Sequence, residues 1–376
     1  MVRQAKPYPQ FPLTAHPNGQ WCKKVRGKLR YFGRDADAAL TQYLAEKDEL
    51  FAGREPERQP ERLSVKELIG AFLDAKQSLV DEGEIGERSL EGYHETCKRI
   101  GKSLGLSRPV DSLSPKDFLK LRTDLSQGKT KRLSSKTLQG ELTRARVLLK
   151  FAQDNGMVEK LLLYRQALKA PSRANIRREA AANGARMFEA SEIRSMIAAA
   201  PVQLKAMIYL AINCGFGNMD CAMLTFDKID LETGWHCYGR NKTGIERRSP
   251  LWAETVAAIE AAIAERPTPR VGHEEFVFIT KYGAGWASDR TALSHAFRKL
   301  AKSVGVYRPG CKVFYSLRRT TETIGAATGN QVAVDFLMGH SRSDMASVYR
   351  QKMFAGKLRE TVDFIRGWLL GEITLE

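Results

Sequence analysis

FYSLRRTTETIG at residues 314–325 and LMGHSRSDMASVYR at residues 337–350 bring four chemistry-bearing side chains close together in the chain: Tyr315, Arg318, His340 and Tyr349. Taken singly, none points to a function. A tyrosine on a C-terminal helix is ordinarily a core or surface aromatic, and a Gly-His pair is an ordinary helix-to-turn junction. The spacing is what matters: His340 and Tyr349 stand nine residues apart, and the arginine precedes both.

The composition around these stretches narrows the partner. In 376 residues, 60 Lys and Arg oppose 43 Asp and Glu, a formal net charge of +17, while hydrophobic residues still make up 43%. That is a folded, basic chain long enough for two or three domains. Its positive charge is spread over several segments, which fits a long polyanion, nucleic acid before membrane, and not a small acidic substrate. Cys22, Cys97, Cys214, Cys221, Cys237 and Cys311 form no CxxC pair and no zinc-ligand spacing, and they read as buried thiols in a reducing compartment. The opening MVRQAKPYPQFPLTAHP carries four prolines and no apolar signal core, so a cytoplasmic location is expected. The most apolar stretch, 196–215, contains Pro201, Gln203 and Lys205 and is not expected to span a bilayer.

Three domains and a linker follow from the local signals. GQWCKKVRGKLRYFG, with its Arg26-Gly27 turn, predicts two or three short strands, and a helix is expected from Asp35 to Leu50. This module, residues 1–58, presents Lys23, Lys24 and Arg26 as candidate DNA contacts. Residues 59–160 read as helical: Ser64 and Glu67 form a capping box, Ser114-Pro115 starts a helix, and another begins near Ser135 with Leu138, Leu142, Ala145, Leu149 and Ala152 on one face. Lys129, Lys131, Arg132, Lys136, Arg144, Arg146 and Lys150 surround that face with Glu141 as the only acid, which marks a DNA-backbone surface. Residues 161–184 read as a basic strap without apolar period, carrying Arg173, Arg177 and Arg178. Residues 185–376 read as a mostly helical domain with a small, turn-rich β region between Phe226 and Leu251.

Together, FYSLRR, LMGH and the tyrosine nine residues beyond its histidine resemble the two signatures of the tyrosine recombinases, the phage-integrase family. The stretch NKTGIERRSPL is similar to the family's β-hairpin lysine and following basic strand. The resemblance implies a mainly α fold with small β elements (α+β). It implies a multidomain DNA clamp in which a helical core-binding domain joins a tyrosine-recombinase-like catalytic domain. It further implies site-specific cleavage and rejoining of DNA through a 3′-phosphotyrosyl intermediate, double-stranded DNA as partner, a DNA-dependent homotetramer, and neither metal nor cofactor. By that resemblance Tyr349 is the nucleophile, Arg318 grips the phosphate with its planar fork, His340 hydrogen-bonds it, and Lys242 protonates the departing 5′ oxygen. In-line cleavage of a phosphodiester needs those three kinds of help: a nucleophile, cations on the non-bridging oxygens and an acid for the leaving group.

Two positions depart from the family pattern. In NCGFGNMDCAML, Gly217 stands where the first catalytic arginine is expected, although Asp220 matches the acid that supports that arginine. Tyr315 stands where the family has the histidine of HxxR, a mild exchange because a phenol still hydrogen-bonds phosphate. On a strand, residues two apart share a side, so Arg240 is a candidate replacement charge beside Lys242. Three readings stay open at this point: an active recombinase that has re-sourced the charge, a recombinase-shaped accessory or architectural DNA-binding protein, and a nicking or relaxing enzyme. Val362, Ile365 and Leu369 form an apolar stripe near the C-terminus, read here as an assembly surface, with docking on its own domain as the alternative.

Overall fold

The structure is a computed structural model and describes residues 5–54, 62–159, 162–239, 244–340 and 354–375. Its chain divides into two compact units, Met1–Ile176 and Arg177–Glu376. Helices dominate both, and each contains antiparallel sheet of no more than three short strands.

In the first unit, β1 (Thr14–Ala15), β2 (Trp21–Val25) and β3 (Lys28–Tyr31) form one antiparallel sheet in that order. The β2–β3 turn has positive φ at both central residues, Arg26 (48°) and Gly27 (82°), the geometry that matches the twist of a two-residue hairpin. Helix α1 (Ala36–Ala52) starts at Asp35, whose Oδ1 accepts the Ala38 N–H at 2.9 Å. Phe11, Leu13, Trp21, Val25, Phe32, Tyr43 and Leu50 close a small core between sheet and helix.

A separate core in the same unit is built by α2 (Val65–Asp81), α3 (Glu87–Leu104), α4 (Pro115–Ser126) and α5 (Ser135–Asp154). The capping box at Ser64 and Glu67 is present, the Ser64 N–H donating to Glu67 Oε2 at 2.8 Å. A second box at Ser114 and Asp117 is reinforced by Arg108, whose fork donates to both Asp117 oxygens at 2.6 and 2.8 Å. Those bonds hold the Asp117 carboxyl far below the usual carboxylate range. The core continues through Leu162, Tyr164, Ala167 and Leu168, so the packed helical region reaches beyond residue 160. The basic strap is in part helical: α6 (Arg173–Ala182) buries none of its residues, which is why its sequence shows no apolar period.

The second unit is organised around α8 (Val202–Asn213), buried on almost every side, which accounts for the uniformly apolar stretch that contains it. Around it pack α7 (Ala190–Ala199), α9 (Asn218–Ala222), α10 (Ala253–Ala264), α11 (Ala292–Ser303), α12 (Tyr315–Ala326), α13 (Gln331–Met338) and a C-terminal helix, Ala355–Leu370. The sheet of this unit runs β4 (Ile229–Asp230), β5 (Trp235–Cys237) and β6 (Arg248–Pro250), with His236 opposite Ile229 on one side and Ser249 on the other. Asn213 locks the end of α8 to the sheet and to α10: its Oδ1 accepts from Trp252 N and Thr255 Oγ1, both at 2.9 Å, and its Nδ2 donates to Pro250 O at 3.1 Å.

Two expectations need correction. Val362, Ile365 and Leu369 are 1%, 0% and 2% exposed and belong to this unit's own core, so the stripe docks on its own domain and is not an open assembly surface. Cys237 is exposed at the end of β5, because the strand's alternation sends His236 inward instead. The other five cysteines are buried. Burial pushes the Cys97 and Cys214 thiols up to about 12 and that of Cys221 well above its ordinary value, which leaves them unreactive. No helix among the described residues is long and apolar enough to cross a membrane.

Candidate active site

Three segments of the second unit converge on Arg318. It lies one turn into α12, is 1% exposed, and donates NH1 to the carbonyl of Gly215 and NH2 to the carbonyl of Met338. Both carbonyls sit beside glycines in the left-handed region that end or follow a helix: Gly215 itself (φ 64°) and Gly339 (φ 58°). At Gly215 the glycine is required twice over, since a Cβ there would also stand 2.6 Å from Met338 Sδ. A guanidinium held by two main-chain carbonyls has its plane fixed before any ligand arrives.

His340 follows Gly339 at the end of α13, its backbone N–H donating to Asp335 O at 2.9 Å. Its Nε2 lies 3.5 Å from Arg318 NH2 and its Nδ1 3.7 Å from Glu322 Oε1. The structure therefore unites Arg318 and His340, residues separated by 22 positions in the chain. Tyr315 lies one turn earlier on α12 and is 40% exposed, with its ring against Gly217. Gly217 begins α9, and its N–H donates to Asp220 Oδ2 at 2.7 Å. Tyr349, Lys242 and Arg240 lie outside the described residues.

The hairpin supplies a residue that the sequence reading overlooked. Arg247, just before β6, is fully buried, with NH2 3.3 Å from Asp220 Oδ1 and Nε donating to Tyr238 O at 3.1 Å. Its guanidinium lies over the rings of Phe216 and Tyr238, 4.8 and 5.8 Å from their centroids. So the acid expected to support an arginine at position 217 is engaged by an arginine from the sheet. Pairing the hairpin by register, Tyr238 against Arg247, was the signal that would have revealed it.

Beside this pair, His236 is completely buried, its ring edge-on to Phe216 at 4.9 Å, and neither ring nitrogen has a hydrogen-bond partner among the described residues. Burial first, and the nearby Arg247 charge second, push its pKa from 6.5 down to about 3. In the window between those values the unfolded chain binds the extra proton. This part of the stability is therefore complete above about pH 6.5 and is lost as the pH falls toward 3, at about 1.4 kcal/mol per unit. Replacing His236 with leucine should flatten the acid limb of the thermal stability profile. An acid limb identical to the parent's would show that another group titrates there.

The DNA-contact candidates divide by environment. Lys24, Arg26, Lys129, Lys131, Arg132, Lys136, Lys150, Arg173, Arg177 and Arg178 are exposed, although Lys150 is 2.5 Å from Asp154. Lys23 is half-buried and donates to Pro12 O at 2.9 Å. Arg144 and Arg146 are also half-buried. Arg144 is turned inward, its Nε on Thr96 Oγ1 at 2.7 Å and its NH2 on Glu141 Oε1 at 2.6 Å. Glu141, 7% exposed, also receives Arg99 at 3.1 Å, so the one acid of that run organises a half-buried network.

Comparisons with known proteins bear on the fold. Residues 185–355 match the model of the phage integrase family. No curated protein matches the chain in sequence. Among solved structures, a lambda integrase dimer bound to a COC′ core site is similar with a TM-score of 0.57 at 19% identity, over 94% of this chain and 99% of that one. A lambda integrase tetramer bound to a Holliday junction gives 0.56 at 18%, over 94% and 98%. A single-substitution variant of the Tn1549 transposon integrase, in complex with a circular intermediate DNA, gives 0.58 at 18%, over 80% and 99%. The chain thus has the multidomain fold of these integrases, and its residues 185–355 match the phage integrase family.

Proposed function

We propose that this protein is a site-specific DNA recombinase that cleaves and rejoins duplex DNA through a 3′-phosphotyrosyl bond on Tyr349. The observation that carries the reading is the Arg318–His340 pair, in which a buried guanidinium is anchored on the Gly215 and Met338 carbonyls beside an imidazole. Burying a guanidinium is a costly choice for packing alone. As an oxyanion clamp it needs no reorganisation when a phosphate enters, and preorganisation of this kind is a large source of rate in phosphoryl chemistry.

In this mechanism the scissile phosphate is gripped by Arg318 and hydrogen-bonded by His340. A phenol titrates near about 10, and cations at the phosphate favour the attacking phenolate of Tyr349. Its oxygen forms the new P–O bond as the 5′ oxygen leaves and takes a proton from Lys242. Reversal by a 5′ hydroxyl restores the phenol. DNA would be held along its backbone by the exposed basic residues of both units, and strand exchange would use a DNA-assembled tetramer.

Gly217 favours a second reading, a recombinase-shaped DNA-binding factor with little or no cleavage, because one catalytic arginine is absent. A nicked duplex carrying the recombination site next to the gene separates the two. Under the proposal it accumulates a protein–DNA adduct that survives denaturation and forms equally well in excess chelator. Tight binding without any adduct would select the accessory factor, and cleavage without strand exchange would select a nicking enzyme.

A further inference from the structure

Gly217 leaves the site short of one cation, and the surrounding residues show which side chain can supply it. A Cβ at position 217 would stand 3.3 and 3.4 Å from Cε2 and Cδ2 of Tyr315, tighter than ordinary van der Waals contact. The Tyr315 ring thus lies where a longer side chain at 217 would begin, and the two departures from the family pattern touch each other. One turn further along α12, the Arg319 guanidinium carbon stands 5.7 Å from the centroid of that same ring. Arg319 is half-buried, and among the described residues its guanidinium is engaged only by this ring.

The other nearby cations are committed elsewhere. Among the described residues, Arg318 already serves as the phosphate clamp, Arg247 is held by Asp220 and the Tyr238 carbonyl, and Lys312 by Glu192. We propose that Arg319, carried on the face of Tyr315 where that ring covers Gly217, is the phosphate-binding cation that replaces the missing arginine. Tyr315 is then the positioning residue: its ring, more than its hydroxyl, aims the guanidinium. A stacked guanidinium keeps its fork of N–H donors available, because the ring engages only its face. This inference rests on the proposed phosphotyrosyl chemistry.

The test is adduct formation on the nicked duplex by the full-length chain, with DNA affinity measured in parallel. Arg319→Gln should lower the adduct rate by about 100-fold or more, the usual loss for one preorganised donor, while affinity changes by no more than about threefold. Arg319→Lys, which keeps charge but not the planar fork, should fall between. Tyr315→Leu should lose about tenfold or more in adduct rate, and Tyr315→Phe, which keeps the ring under the guanidinium, should lose clearly less. Free guanidinium ion at millimolar concentration should restore part of the rate to Arg319→Ala, which a merely structural residue would not show.

Cleavage by Arg319→Gln at the parent rate overturns the inference and leaves the phosphotyrosyl reading intact. A loss in Tyr315→Phe equal to that in Tyr315→Leu also overturns it, by assigning the role to the hydroxyl. A parent that binds the duplex and forms no adduct overturns both together.

Discussion

Arg318→Gln is expected to reduce covalent adduct formation by about 100- to 1,000-fold, the largest catalytic effect of any single substitution outside the nucleophile. Glutamine can reach at most part of the way into the space between the Gly215 and Met338 carbonyls, and it carries no charge. Arg318→Lys should lose nearly as much, because a point charge cannot bridge two carbonyls and still present a fork to phosphate. The two buried carbonyls left without a donor add about 1 to 3 kcal/mol each of destabilisation. Rates must therefore be compared well below the variants' melting temperatures. A variant that cleaves at the parent rate while folded would remove Arg318 from the site.

The second large effect concerns stability. Arg247→Met should destabilise the second unit by about 3 to 5 kcal/mol, the range for breaking one side of a buried pair. The loss arises because half-buried Asp220, still accepting from the Gly217 N–H, is left without its arginine partner. Removing both charges, in Arg247→Met with Asp220→Leu, should recover much of that loss, since no half-buried carboxylate then remains without a partner. Thermal unfolding of the parent and the two variants decides the matter. Equal melting points for the parent and Arg247→Met would mean that the pair contributes nothing net.

How much of this was legible beforehand depends on how local each signal is. The capping boxes at Ser64 and Ser114 and the turn at Arg26-Gly27 are complete within a few residues, so those element starts can be read directly. Helix α3 was not, because Gly86 caps it without a side-chain hydrogen bond. A helix that buries nothing, α6, has no apolar face to betray it. Glu141 and Arg144 look like part of a solvated charge run, and only the packing of α3 against α5 shows that Thr96 and Arg99 meet them there.

At the site, Arg318 and His340 could be singled out by spacing, but their mutual contact depends on where α13 ends. Arg240, a candidate replacement charge on the strand of Lys242, lies outside the described residues. The cation on Asp220 comes from the returning strand, at Arg247, because hairpin register and burial decide what faces inward. The apolar stripe at Val362, Ile365 and Leu369 carries no mark of whether its partner is the same chain or another, and the fold assigns it to the same chain.

The central claim is that a tyrosine hydroxyl of this chain becomes joined to DNA. The most direct measurement is mass spectrometry of the adduct formed on a nicked duplex, after nuclease trimming and tryptic digestion, beside a Tyr349→Phe control. The account predicts a nucleotide phosphate on the peptide Ser343–Arg350, at Tyr349, and no adduct in the control. A nucleotide found on Tyr315 or any other residue, or an adduct that persists in Tyr349→Phe, would contradict it.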